Sequence, residues 1–183
     1  MLLEDAVGVL EGWRAADGEQ EGLRVHYLRH LAEHSDGMWR TCRPEHITAS
    51  ALVVDGSRTR TLLTLHKTVG RWLQLGGHCE AGDRTLAGAA LREATEESGL
   101  TDLTISPQPL RLSRHLLERG GCAGAYHLDV EFLIIATADT EHTISDESDG
   151  LAWFPLDALP ADLDTSVQQL AASAQLAFAH RDL

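Results

Sequence analysis

The chain is 183 residues long, with 15 Lys plus Arg against 28 Asp plus Glu, a formal net charge of −13, 43% hydrophobic residues and 5 Pro. That fits one compact domain with a modest extension, and a second full-sized domain is not expected. The charge opposes non-specific binding to nucleic acid or an anionic membrane, because phosphate contacts need Lys and Arg to displace counterions, so a phosphate-bearing substrate would need positive charge from elsewhere.

The amino terminus carries Glu4 and Asp5 where a signal peptide would carry base, and the apolar runs fall short of the ~20 residues that span a bilayer. Cys42, Cys79 and Cys122 are widely spaced and form no CxxC pair, which signals neither a disulfide framework nor a zinc knuckle. A reducing, cytoplasmic setting is the expectation. Residues 1–45 read as a helical extension, with Leu23, Tyr27 and Leu31 forming an apolar stripe that ends near Ser35-Asp36-Gly37.

From Ile47 the pattern changes to two strands, Ile47 to Val54 and Arg60 to His66, joined by a turn at Asp55-Gly56-Ser57. Trp72 to Leu75 forms a short apolar segment that runs into a Gly76-Gly77 loop. A helix then covers about 84–98, with Gly99 placed to end it. Strands are expected at about 103–112 and 127–137, an acidic turn at Ser145 to Gly150, and an Ala-rich helix at about 165–179 that packs through Val167, Leu170, Ala174 and Phe178.

The 84–98 helix places its acids unusually. At about 100° per residue, Glu97 projects within about 20° of Leu86 and Ala90, which should face the sheet; Glu93 lies as far beyond Leu86, and Glu96 completes the sector. Three close carboxylates repel unless a cation sits among them, and a hard divalent ion such as Mg²⁺ or Mn²⁺ is the economical solution. A solvated, charge-rich helix end is the alternative. The Gly-rich loop feeding the helix favours the ion, because glycines let backbone atoms approach a metal or phosphate.

The segment Gly76 to Leu100, GGHCEAGDRTLAGAALREATEESGL, resembles the Nudix box, G-x5-E-x7-R-E-U-x-E-E-x-G-U, at Gly77, Arg92, Glu93, Glu96, Glu97, Gly99 and Leu100. It departs from the box in three places. Asp83 stands where Glu is usual, the spacer to Arg92 is one residue longer, and Ala94 is small for its position; Asp83 is alternatively a helix cap. The resemblance implies an α/β Nudix fold over 46–183, a mixed sheet sandwiched between helices.

It also implies a Nudix hydrolase that cleaves a nucleoside diphosphate linked to another moiety, a nucleotide or nucleotide sugar, with Mg²⁺ or Mn²⁺. Glu93, Glu96 and Glu97 would then be metal ligands, with a backbone carbonyl of Gly76 or Gly77 as a further one, and Arg92 would orient the glutamates. A box glutamate or an acid of a later loop serves as general base in relatives; Glu147 is the positional match, a plain acidic turn the alternative, and Asp129 and Glu131 the runners-up. Lys67, Arg71 and His78 are candidate phosphate contacts beside Gly77, or ordinary surface bases. The implied partner is a small-molecule diphosphate, with no nucleic acid or membrane, and a two-fold homodimer is the commonest assembly open to such a chain.

Two other classes fit the same resemblance. A non-catalytic Nudix-fold nucleotide sensor is disfavoured because all three box glutamates persist, and an isoprenoid diphosphate isomerase because no cysteine is suitably placed. His26, His30 and His34 recur every fourth residue, a spacing that can bind zinc, but a solvated face opposite Leu23, Tyr27 and Leu31 explains them more simply. Cys79 reads as small buried packing.

Overall fold

The computed structural model describes residues 1–118, 120–137 and 148–180. Helices α1 (Leu2–Gly12) and α2 (Gly18–Glu33) precede strands β1 (Glu45–Asp55), β2 (Arg60–His66), β3 (Arg71–Leu73) and β4 (Leu75–His78). Helix α3 (Leu86–Ser98) follows, then β5 (Leu103–Ile105), β6 (Arg111–Leu116), β7 (Tyr126–Ala136), β8 (Ser148–Pro155) and α4 (Thr165–His180).

The sheet is built on one long parallel pair, β1 with β7, in unbroken register from Glu45 against Tyr126 to Asp55 against Ala136. Among the described residues all its other pairings are antiparallel, so the sheet is mixed. It forks on both sides of the central pair. Residues 48–51 of β1 pair with β4 while Val53 and Val54 pair with β2, and β7 divides likewise between β6 and β5.

Strand alternation sorts the side chains to two faces. Ile47, Ala49, Ala51 and Val53 of β1 join Leu128, Val130, Phe132 and Ile134 of β7 in a core with α1, α2 and α3. Leu52, Val54 and Leu133 meet Val167, Leu170, Ala171 and Ala174 of α4 on the opposite face. On that second face the rows turn polar toward the other end of the sheet: Ser50, Thr48 and His46 on β1, and Glu131, Asp129 and His127 on β7.

The amino-terminal helices share the core of the domain. Leu2, Ala6, Leu10, Tyr27 and Leu31 are buried in it, and Asp5 Oδ2 accepts the Leu86 N–H at 2.8 Å, satisfying an orphan donor at the start of α3. The Gln20 amide pairs with both backbone groups of Leu112 on β6.

Several elements differ from the sequence expectation, among them Ser148 to Gly150, which open strand β8 where the sequence suggests an acidic turn. The strand expected at 103–112 is two strands, because Pro107 and Pro109 remove ladder donors between β5 and β6. Gly76 and Gly77 lie in a paired strand, β4, rather than a loop. Thr85, whose hydroxyl accepts the Gly88 N–H, caps α3, so Asp83 is not the cap.

Candidate functional site

Thr85 starts α3 and Gly99, at φ 70°, ends it, so the extra residue between Asp83 and Arg92 is absorbed in the turn before the helix and the Arg92 to Glu97 face stays intact. Burial grades across the three acids. Glu97 is 7% exposed, the Glu93 side chain 15% and the Glu96 side chain 58%.

β4 supplies the opposing wall. Glu97 Oε2 accepts the Gly76 N–H at 3.1 Å, and Glu93 lies so close to Gly77 that a Cβ there would stand 2.8 Å from its Oε1. Gly76 has φ 153°, and a Cβ on it would stand 2.3 Å from Ser50 Cβ on β1. The two glycines therefore act differently. Gly76→Ala should cost roughly 3 kcal/mol or more of stability, since both the backbone angle and a strand resist it. Gly77→Ala should fold nearly as well but lose roughly 10–100-fold in turnover, since only the Glu93 carboxylate has to move. Denaturant unfolding and steady-state kinetics on both variants separate the two effects.

Arg92 spends its whole guanidinium on the protein. Nε and Nη2 donate to the two Asp83 oxygens at 3.1 Å each, Nη1 donates to Glu93 Oε1 and Glu96 Oε2 at 3.0 Å each, and Nη2 donates to the His78 carbonyl at 3.0 Å. That accounts for all five N–H donors of an arginine. The hydrogen bonds that Arg92 donates to Asp83, with the nearby Glu93 charge, outweigh burial and hold the Arg92 pKa well above its ordinary value. Burial raises the Asp83 carboxyl, but the Arg92 and Glu80 N–H donors outweigh it and leave it below the usual aspartate value. Asp83 thus anchors Arg92.

Other expected residues are dispersed. Arg71 is exposed, with Nη1 3.4 Å from Asp164 Oδ2 beside α4, and Lys67 is exposed in the β2–β3 turn. Glu147 lies outside the described residues. Cys79 is buried core, its thiol pushed up to about 12 by burial and then by Asp83.

Asp129 and Glu131, the other acids considered as base, are buried on the polar rows. Asp129 accepts from Thr48 Oγ1 at 2.9 Å and Ser50 Oγ at 2.6 Å, and Glu131 accepts from Ser113 Oγ at 3.0 Å. Burial and then the Asp129 charge raise the Glu131 pKa well above its ordinary value. Above the unfolded value of 4.5 the unfolded chain has lost this proton and the folded chain keeps it, so Glu131 makes stability fall as pH rises from there toward its folded pKa. Glu131→Gln should flatten that decline, by up to about 1.4 kcal/mol per pH unit, in urea midpoints measured between pH 5 and 8.

The histidines depart most from expectation. His30 is 3% exposed, and Glu45, at the start of β1, sits among His26, His30 and Arg114, so the histidine face of α2 is partly buried rather than solvated. His78 turns its ring onto His46, 5.2 Å between centroids, and His127, at 4.9 Å. Burial and neighbouring imidazoles lower His78 to about 4 and His127 to about 2, and burial lowers His46 as well. This cluster joins residues far apart in sequence, and no local spacing announced it.

A glycine-edged strand facing three graded carboxylates on a capped helix, beside a mixed sheet with helices on both faces, defines a class. The NUDIX domain family model matches residues 44–174, and the chain belongs to the Nudix family of hydrolases. A NUDIX-family hydrolase from Clostridium perfringens is 23% identical, with a TM-score of 0.59 over 72% of this chain and 97% of its own. An Ap4A hydrolase from C. elegans gives 20%, 0.61, 73% and 98% in the same order. The NUDIX domain of Shewanella oneidensis NrtR, solved with ADP ribose, gives 17%, 0.60, 82% and 97%. No curated protein sequence matches the chain. Among the described residues no helix is long and apolar enough to cross a membrane.

Proposed function

We propose that the chain is a Mg²⁺- or Mn²⁺-dependent hydrolase that cleaves the diphosphate linkage of a nucleoside diphosphate joined to another moiety, a nucleotide or nucleotide sugar. The observation that carries this reading is the seating of Glu97 and Glu93 against Gly76 and Gly77. The donor set fits a hard cation, because carboxylates and backbone carbonyls offer oxygen throughout and the Glu93 carboxylate fills the space a side chain at 77 would take. Glu93, Glu96, Glu97 and the Gly76 carbonyl would hold the ion, which when bound neutralises charge building on the phosphate oxygens and makes bound water more acidic.

The protein's own groups supply the rest. Arg92, with every donor engaged, orients Asp83, Glu93 and Glu96 and has none left for substrate. Water oxygen bonds to one phosphorus as the bond from that phosphorus to the bridging oxygen breaks, the bridging oxygen leaves with the other phosphate, and each product ends in a phosphate. A box glutamate, Glu96 or Glu97, or Glu147 of the acidic loop takes the water proton. Lys67 and Arg71, both exposed although Arg71 also meets Asp164, would offer positive charge to an arriving phosphate, and Gly77 and His78 the adjoining backbone. The compounds named for two of the structural relatives, Ap4A and ADP ribose, join adenosine to another group through phosphoanhydrides, which supports this substrate class. Three free thiols support a reducing, cytoplasmic setting.

The test is a panel of nucleoside diphosphate derivatives incubated with the protein and either ion, with products followed by phosphate analysis. Metal-dependent cleavage of at least one derivative at a phosphoanhydride, giving two phosphate-terminated products, is expected. Calorimetric binding without cleavage of any would favour the sensor instead.

A further inference from the structure

The proposed hydrolysis uses the backbone of His78 but leaves one cluster of chemistry-bearing side chains, that of His78 among them, without a role. His46 of β1, His78 of β4, His127 of β7 and Cys122 of the β6–β7 connection each offer one ligand atom, and these four atoms lie within 4.8 Å of one another. Register sets the placement. His46 and His127 are direct partners across the parallel pair, and His78 is the partner of Thr48, the next residue along the same face of β1.

The nitrogens are prepared for a ligand. His46 is fully buried, and its Nδ1 lies 3.2 Å from the Cys42 carbonyl, a bond that places hydrogen on Nδ1 and leaves a lone pair on Nε2. Among the described residues neither His46 Nε2 nor His127 Nε2 has a hydrogen-bond partner. Buried polar atoms left so cost free energy unless something occupies them. Cys122 is 4% exposed with Sγ 3.5 Å from His78 Nε2, close to the roughly 3.6 Å nitrogen-to-sulfur edge of a tetrahedron with bonds of ~2.1 and ~2.3 Å.

We infer that His46, His78, His127 and Cys122 form a binding site for a borderline-soft divalent transition metal, zinc above all, distinct from the carboxylate site. Three imidazoles and a thiolate select such an ion over Mg²⁺, which takes oxygen ligands. Four protein ligands complete a tetrahedron, so the site is structural rather than catalytic. It ties the β6–β7 connection, whose Gly121, Cys122 and Ala123 carbonyls also face Arg43, to β4 directly beside Gly76 and Gly77. Binding takes Cys122 as thiolate, and its proton leaves to solvent.

The experiment strips the full chain with chelator and titrates it with Co²⁺. One equivalent should produce a thiolate-to-cobalt charge-transfer band in the near ultraviolet, which Zn²⁺ then abolishes by displacement. Cys122→Ser should lose the band, while Cys42→Ser, Cys79→Ser and Glu97→Gln keep it; Cys42→Ser controls for the smaller group of His34, Asp36 and Cys42. If Cys122→Ser does not fold, His127→Gln serves in its place, with Zn²⁺ affinity weakened at least ~10-fold in competition with a chromophoric chelator. Absence of the band in folded wild type, its survival in Cys122→Ser, its loss in Cys42→Ser or Glu97→Gln, or unchanged Zn²⁺ affinity in His127→Gln would each overturn the site. Failure of the substrate panel would leave these readouts unaltered, so the two readings fail separately.

Discussion

Glu97→Gln should lower kcat by roughly 10³-fold while leaving the metal-free fold intact. The amide is nearly isosteric, and its oxygen still accepts the Gly76 N–H that now meets the carboxylate at 3.1 Å. Exchanging a charged acceptor for a neutral one weakens that bond by about 1 kcal/mol. Removing one of three neighbouring negative charges relieves repulsion of similar size, so the metal-free unfolding midpoint should scarcely change. What disappears is charge aimed at the cation, and electrostatic contacts of this kind are worth about 10²–10³ in rate for each donor removed.

A second readout separates this from general damage. Saturating Mg²⁺ or Mn²⁺ should stabilise wild type by up to about 2.7 kcal/mol at a hundredfold excess over Kd and stabilise the variant much less. The grading of burial predicts an order. Glu96→Gln, at the most exposed of the three carboxylates, should cost only about tenfold, and Glu93→Gln should fall between. Turnover within a few-fold of wild type in Glu97→Gln, on a substrate the protein cleaves, would remove this residue from the mechanism.

What the sequence made legible depended on distance along the chain. Helix α3 was readable because a helix repeats locally: Leu86, Ala90 and Ala94 mark the buried side, and Glu93 and Glu97 fall beside it whatever the tertiary structure. β4 was not, because glycines carry no strand pattern and its pairing is decided by Ser50 and Ala49 on a strand some twenty-five residues earlier. The break between β5 and β6 was present in Pro107 and Pro109 but was overridden by the apolar residues around them. The histidine and cysteine cluster was invisible for a deeper reason. Metal motifs are recognised by short spacings, whereas His46, His78, Cys122 and His127 meet only because of the parallel register of β1 and β7 and the return of β4.

Arg92→Ala should destabilise the protein far more than the glutamate-to-glutamine changes and should inactivate the enzyme as well. The guanidinium side chain is 21% exposed, and its partners are the nearly buried Asp83, at 6%, together with Glu93 and Glu96. Removing one partner of a fully buried pair costs about 3–5 kcal/mol, and the partial exposure here reduces the expectation to roughly 2–4 kcal/mol at neutral pH. The deficit should depend on pH in a defined direction. Pairing holds the folded Asp83 pKa below 3.8, so its stabilisation is present above that value and disappears as pH falls through the folded value. The difference between wild type and Arg92→Ala should therefore narrow in urea titrations carried from pH 7 toward pH 3. Arg92→Lys keeps the charge but not the fork; an ammonium with three donors cannot serve five planar acceptors spread over Asp83, Glu93, Glu96 and the His78 carbonyl. It should recover much of the stability while leaving kcat depressed roughly 10–100-fold with KM little changed, the pattern of misaligned glutamates rather than of a lost substrate contact. A rise in KM at constant kcat would instead place this arginine on the substrate.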